Sequence, residues 1–151
     1  MSAASLNLSE FVPYRLSVAS NTVSDLIARE YQSRFGLKIP EWRVMAVLGE
    51  GTAMTQRDLV HATRMDKVTV NRAAKTLVER ELLARTPSRD DGRSHHLELS
   101  HAGRALYDDI SPAALAIEGK LLAVLDDGDR ETLLRLLDKL QHAAERAAGR
   151  S

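Results

Sequence analysis

Apolar residues recur at helical spacing from near the start of the chain. Leu16, Ala19, Val23, Leu26, Ile27 and Tyr31 share one face of a helix expected over residues 9–35 and ended by Gly36. Pro13 is tolerated there only in or before the opening turns. Pro40 suits the first position of a second, short helix carrying Trp42, Met45, Val47 and Leu48, which Gly49 and Gly51 close. In "TAMTQRDLVHATRMDKVTVNRAAKTLVERELL", Thr55 and Asp58 have capping-box spacing and begin a helix barely two turns long. Residues 63–66 form a tight turn, and Asp66 is placed to cap a longer helix reaching about Glu81. A short helix joined to a longer one by a few residues predicts a helix-turn-helix.

The pattern then changes. "LLARTPS" and "SHHLELS" flank an Asp-Asp-Gly-Arg tip, and Leu97 and Leu99 alternate with His96 and Glu98 as in a half-buried strand. An Asp-Gly pair between two such segments predicts a hairpin. Ser100 caps a long helix through Leu106, Ile110, Ile117, Leu121 and Leu125, with Pro112 expected to bend it. "DDGD" breaks the chain at 126–129, and a last helix repeats Leu133, Leu137, Leu140, Ala144 and Ala147. That near-heptad stripe requires a partner helix. The expected architecture is mainly α: a winged helix-turn-helix of order α-α-α-α-β-β-α-α, the hairpin tip being the wing.

Composition narrows the class. The 151 residues are 44% apolar and 28% charged, with 4% aromatic, which suits one globular domain with a Leu, Val and Ala core. The start, "MSAASLNLSE", lacks a basic and apolar export signal, and no apolar run is long enough to span a membrane. Cysteine is absent, which removes disulfides and thiolate metal sites. A cytoplasmic location is expected. The formal net charge of zero hides a sorting along the chain. Residues 55–104 carry ten Lys/Arg against seven Asp/Glu, while residues 105–151 carry six against nine.

Where the middle charges fall decides their meaning. At 100° per residue over residues 66–81, Val70, Ala73, Ala74 and Leu77 gather within about 100°, the width of a buried stripe. Val68, Arg72, Lys75 and Thr76 lie opposite, with Thr69 and Asn71 on the shoulders. Arg pairs with guanine and Asn with adenine, while Thr and Val methyls meet the thymine methyl, so this face suits a major groove. Thr55, Gln56 and Lys67, at the starts of the two helices, join it as candidate DNA contacts. The plainer reading is an ordinary solvated helix face; the wing weighs against it. Arg89 and Arg93 flank a turn too polar for a core, and Arg is favoured in a narrow minor groove. Asp91, close to Arg93, is assigned to hold it in position, since a free carboxylate would repel phosphate.

The stretch "DKVTVNRAAKTLVERELLARTPSRDDGRSHHLELSHAGRAL" resembles the MarR (multiple antibiotic resistance regulator) family of transcription factors. The likeness rests on the Asp-Lys start of the recognition helix, "LVERELL" before the first strand, and "DDGR…LELS..G..L" through the wing. It implies a winged-helix homodimer, more often a repressor than an activator, whose dimer is made by the first and last two helices. On that plan residues 39–100 form the DNA-binding lobe, and 1–36 with 101–151 form a helical dimerisation lobe, all within a single chain of 1–151. Leu133, Leu137, Leu140 and Ala144 fall in the dimer stripe. The resemblance also implies that Arg93 enters the minor groove beside Asp91. Two positions depart from the family: Glu81 where many relatives have Gly, and Asn71 where Ser is frequent.

Other chemistry is sparse. His95, His96 and His101 are close in sequence, but alternation parts the first two and no further ligand set completes a metal site, so none is expected. No nucleophile–base spacing or phosphate loop is present, so neither an enzyme nor a cofactor is expected. For small ligands, Tyr14 and Arg15 on the first helix and Trp42 and Arg43 on the second combine aromatic walls with cations suited to a carboxylate. In the resembled family, pockets for aromatic acids form between such helices and the DNA-binding lobe. The plainer alternative makes Trp42 core and both Arg residues ion-paired. The expected function is sequence-specific binding of a pseudo-palindromic double-stranded DNA operator by a homodimer, relieved by a small aromatic carboxylate. Its rival is a winged-helix module for protein contacts without DNA readout, which would need an apolar outer face on residues 66–81.

Overall fold

A computed structural model describes residues 4–87 and 95–149. After a short 3-10 turn at Leu8–Glu10 come α1 (Val12–Phe35), α2 (Ile39–Glu50), α3 (Gln56–Thr63) and α4 (Lys67–Glu79). Strands β1 (Leu83–Pro87) and β2 (His95–Leu99) follow, then α5 (His101–Leu122) and α6 (Asp127–Ala147). This is the expected winged-helix order. The wing-tip residues Arg89, Asp91 and Arg93 lie outside the described residues.

The chain groups into two compact units, residues 1–110 and 111–151. In the first, α2, α3, α4 and the hairpin enclose Val44, Met45, Leu59, Val70, Leu77 and Leu97, each almost wholly buried. Helix α1 and the start of α5 fall in this same unit. Aromatic packing accounts for this: Trp42 of α2 meets Tyr31 of α1 edge-on at 5.5 Å and stacks on Tyr107 of α5 at 6.0 Å. Such pairs add to the area they bury. Arg80 ties α4 to the end of α1 by donating to the carbonyls of Gly36 (2.9 Å) and Phe35 (3.4 Å).

The hairpin is antiparallel, with Leu83 opposite Leu99 and Pro87 opposite His95. Met54, just before α3, extends it by exchanging two backbone bonds with Leu97, at 2.9 and 2.7 Å. The wing base and the helix-turn-helix are thereby joined backbone to backbone.

Several boundaries differ from the sequence expectation. Gly49 lies inside α2 instead of ending it, because its missing side chain admits the Tyr107 ring; a Cβ there would come within 2.5 Å of that ring. Helix α4 stops at Glu79, and Glu81 takes a left-handed conformation (φ 61°), the backbone form for which glycine is preferred. The break between α5 and α6 falls at 123–126, ahead of the expected 126–129: Asp126 is an N-cap, with reciprocal bonds between it and Asp129 at 2.7 and 3.3 Å, so α6 begins at Asp127. Helix α5 continues through Pro112.

In the second unit, Arg130 and Glu118 form an ion pair at 2.8 Å, both about half exposed and so worth little. Leu133, Leu137 and Leu140 on α6 remain 40%, 42% and 45% exposed, and Ala144 is exposed too. A large apolar stripe left open to water is costly.

Candidate nucleic-acid interface

Local hydrogen bonds set the two helices of the motif. The Thr55 hydroxyl accepts from the Asp58 amide and the Asp58 carboxylate accepts from the Thr55 amide, both at 3.1 Å. Hydrogen bonding to Thr55, through its backbone amide first and its side chain second, holds the Asp58 carboxyl below its usual range. Helix α3 ends where Arg64 turns left-handed (φ 60°) and its amide bonds the Val60 carbonyl. Asp66 then caps α4, with one carboxylate oxygen accepting from the Thr69 amide and the other from the Thr69 hydroxyl, both at 2.8 Å. The amide of Thr69, then its hydroxyl, lower the Asp66 pKa, so the cap is a full carboxylate at neutral pH. That anion at the helix N-terminus favours α4.

The inner stripe of α4 is as its spacing predicts: Val70, Ala73, Ala74 and Leu77 are all buried. The outer face carries Lys67, Arg72 and Lys75, all exposed, with Val68 65% exposed and Thr69 and Thr76 half-buried. Thr55 and Gln56 are half-buried at the start of α3, where the Thr55 hydroxyl is already committed to its cap. Asn71 departs from expectation. Its Oδ1 is buried with no hydrogen-bond partner. A two-pronged contact with adenine needs both atoms free. Arg57 on α3, Arg64 in the turn and Arg85 on β1 are further exposed cations of this region, which helical patterning of α4 alone does not single out.

The ligand candidates are placed differently from one another. Arg15 does not point into an apolar core: it is exposed, and its guanidinium donates to the Ser9 carbonyl at 3.2 Å. Tyr14 and Arg43 are also exposed, Tyr14 because residues 12–22 of α1 are exposed on every face. Trp42 is half-buried in the aromatic stack. Sequence reasoning missed Tyr107 and Arg104. The latter lies over the Tyr107 ring and donates to the Gly49 carbonyl at 3.1 Å. Their spacing of three on a helix is the one local signal for that contact. His61, His95, His101 and His142 are exposed and His96 is half-buried. Among the described residues no cluster of three or more His, Cys, Asp or Glu is suited to hold a metal. No helix among them is long and apolar enough to cross a membrane.

A capped helix-turn-helix with a basic outer face, joined to a two-stranded hairpin, defines a winged-helix protein of the nucleic-acid-binding kind. The MarR family model matches residues 35–94. A solved MarR family transcriptional regulator from Silicibacter pomeroyi DSS-3 is 30% identical, with 90% of this chain and 99% of that one covered, at a TM-score of 0.75. The chain belongs to the MarR family of transcriptional regulators. It is also 33% identical over 93 residues to the HTH-type transcriptional repressor NicR of Pseudomonas putida. That match takes in 62% of this chain and 59% of the repressor, under two thirds of its length. A third relative is BpsR of Bordetella bronchiseptica, whose DNA binding is regulated by 6-hydroxynicotinic acid. It is 26% identical, with 87% of this chain and 99% of that one covered, at a TM-score of 0.79.

Proposed function

We propose that the chain is a homodimeric repressor of transcription, acting in the cytoplasm, that binds a pseudo-palindromic operator and is released by a small aromatic acid. The observation that carries the reading is the outer face of α4, where Lys67, Arg72 and Lys75 stand exposed on a helix fixed at its start by Asp66. Val68 is the large apolar side chain most exposed on that face. A module built for protein contacts alone would present an apolar face, which favours DNA over that rival. In this reading Val68, Thr69, Asn71, Arg72, Lys75 and Thr76 face the major groove, Arg93 enters the minor groove, and Asp91 steadies it. The bare leucines of α6 support pairing with a second copy. The function is binding, with no reaction catalysed.

For the effector, Arg15 spends one donor on Ser9 and keeps others for a carboxylate, since a guanidinium has five. Tyr14 adjoins Arg15, whereas Trp42 and Arg43 lie beside Tyr31, about 24 Å further along α1 at 1.5 Å per residue, and are proposed as a separate contact. The regulation of BpsR by an aromatic acid supports this class of effector.

The test is binding to duplex fragments enriched from random DNA, followed by anisotropy across a salt series. Affinity is expected to fall steeply with salt, with a log–log slope of about −0.9 per phosphate neutralised. The two half-sites should be roughly 34 Å apart, one helical turn. A flat salt response removes the reading. Titration with 6-hydroxynicotinate and benzoate-like acids should release the complex, and Arg15→Ala should abolish release while sparing DNA affinity.

A further inference from the structure

The two ends of α4 are held in different ways. Its start is closed within its own first turn, where both Asp66 carboxylate oxygens accept from Thr69. Those bonds fix where the helix begins and leave the direction of its axis to the rest of the fold. The inner stripe of Val70, Ala73, Ala74 and Leu77 is buried, but apolar contact is non-directional and tolerates a small roll. The far end is tied by directional bonds. The guanidinium of Arg80, the residue that closes α4, donates from Nη1 to the Gly36 carbonyl at 2.9 Å and from Nη2 to the Phe35 carbonyl at 3.4 Å. Both carbonyls stand at the C-terminus of α1, where intrahelical amides run out and the helix dipole is negative. Just beyond Arg80, the Ser100 hydroxyl donates to the Glu81 carbonyl at 2.7 Å and the Ser100 amide to the Leu82 carbonyl at 3.0 Å. The backbone of residues 81–82 is thus anchored to the start of α5, and the side chain of Arg80 to the end of α1.

Resting on the DNA-binding reading above, we infer that Arg80 is a positioning residue for operator specificity. It touches neither base nor phosphate, and sets the angle at which α4 presents its outer face. A helix with its side chains has a radius of about 5–6 Å, so a roll of about 20° carries the tips by about 2 Å. Hydrogen bonds to base edges do not survive that, since their lengths are confined to about 2.7–3.2 Å. The attraction between a cation and a phosphate falls only inversely with distance and survives most of it. Freeing the Arg80 end of α4 therefore weakens binding to the operator more than binding to DNA of arbitrary sequence. The planar fork matters as well, because two terminal nitrogens on two neighbouring carbonyls fix direction and distance together. A lysine ammonium is a point donor without that plane. Arg80 is exposed, so its replacement opens no cavity in the core.

The experiment compares the full native chain with Arg80→Met and Arg80→Lys. Anisotropy is read on the enriched operator and on a scrambled duplex of equal length and composition, each across a salt series. Arg80→Met should bind the operator about tenfold more weakly, the size of one lost base contact. Its affinity for the scrambled duplex should stay within about twofold of the native chain, since phosphate contacts carry that binding. Its salt slope on the operator should be unchanged, because no phosphate contact is lost. Arg80→Lys should recover only part of the operator loss. A slope shallower by about 0.9 in Arg80→Met would place the guanidinium on a phosphate and overturn the inference. Native operator affinity in Arg80→Met would overturn it too, as would equal losses on both duplexes, the mark of a merely destabilised chain. Should Arg80→Met fail to fold, Arg80→Lys decides: a loss confined to the operator supports the inference, and native operator affinity overturns it. A native chain that retains no duplex would instead remove the DNA-binding reading itself.

Discussion

Replacing Gly103 by alanine is expected to destabilise the protein, although alanine is the better helix former. Gly103 lies in the first turn of α5, three residues after the cap Ser100, whose hydroxyl accepts from the Gly103 amide at 3.0 Å. A Cβ at this position would sit well inside contact distance of the Leu82 carbonyl oxygen and 3.0 Å from its carbon. That carbonyl is backbone, and it also accepts the Ser100 amide at 3.0 Å, so it cannot swing aside as a side chain would. Overpacking of this kind costs about 1–3 kcal/mol. Weakening the Ser100 bond adds about 1 kcal/mol, while helix propensity returns about 1 kcal/mol. The net loss is about 1–3 kcal/mol, or roughly 3–10 °C in Tm for a chain of this size. Gly119, in the same helix, is the control. A Cβ there meets nothing within 4 Å of its own chain, so Gly119→Ala should gain up to about 1 kcal/mol. Calorimetry at one fixed protein concentration reads both, since assembly makes Tm concentration-dependent. A Gly103→Ala chain as stable as its parent would refute the close approach of α5 to Leu82.

Leu137→Glu and Leu140→Glu should each give monomers by sedimentation and lose operator affinity, because a carboxylate in the α6 stripe would be buried without a partner. Thr55→Ala should cost about 1 kcal/mol by denaturant titration, as it removes the cap of α3. Acidification should loosen α3 and α4: Asp58 and Asp66 have lowered pKa values, so their cap stability is full above the unfolded value of about 3.9 and is lost as pH falls through the lower folded values. Far-UV circular dichroism of Asp66→Asn should show a shallower loss across that window. Arg93→Ala should weaken operator binding by about 1–3 kcal/mol, and Asp91→Ala by less; a tighter complex in Asp91→Ala would mean that its carboxylate merely repels phosphate.

Features set within four residues were legible in the chain. The stripe of Val70, Ala73, Ala74 and Leu77 and the caps at Thr55 and Asp66 follow from spacing that local geometry enforces. Asp126–Asp129 misled because Asp and Gly favour both a turn and a helix start, and the reciprocal bonds decide between them. Contacts across long separations left no local trace. Pairing of Met54 with Leu97 uses backbone atoms that every residue has. Gly49 reads as a terminator until Tyr107 is found against it. Helical periodicity put Asn71 on the correct shoulder, but the direction of its amide depends on what packs beneath. Arg15 lay in an apolar stretch at the start of α1, where residues 12–22 are exposed on every face.

Trp42 is the sole tryptophan, and two of the three tyrosines lie beside it, with Tyr31 at 5.5 Å and Tyr107 at 6.0 Å. At such separations an excited phenol passes its energy to the indole before it can emit. While the stack is closed, tyrosine light comes from Tyr14 alone. The three rings come from α1, α2 and α5, so parting any one helix from the others relights a tyrosine and dims the sensitised tryptophan. The unlabelled chain thus carries its own optical gauge of whether those three helices remain together.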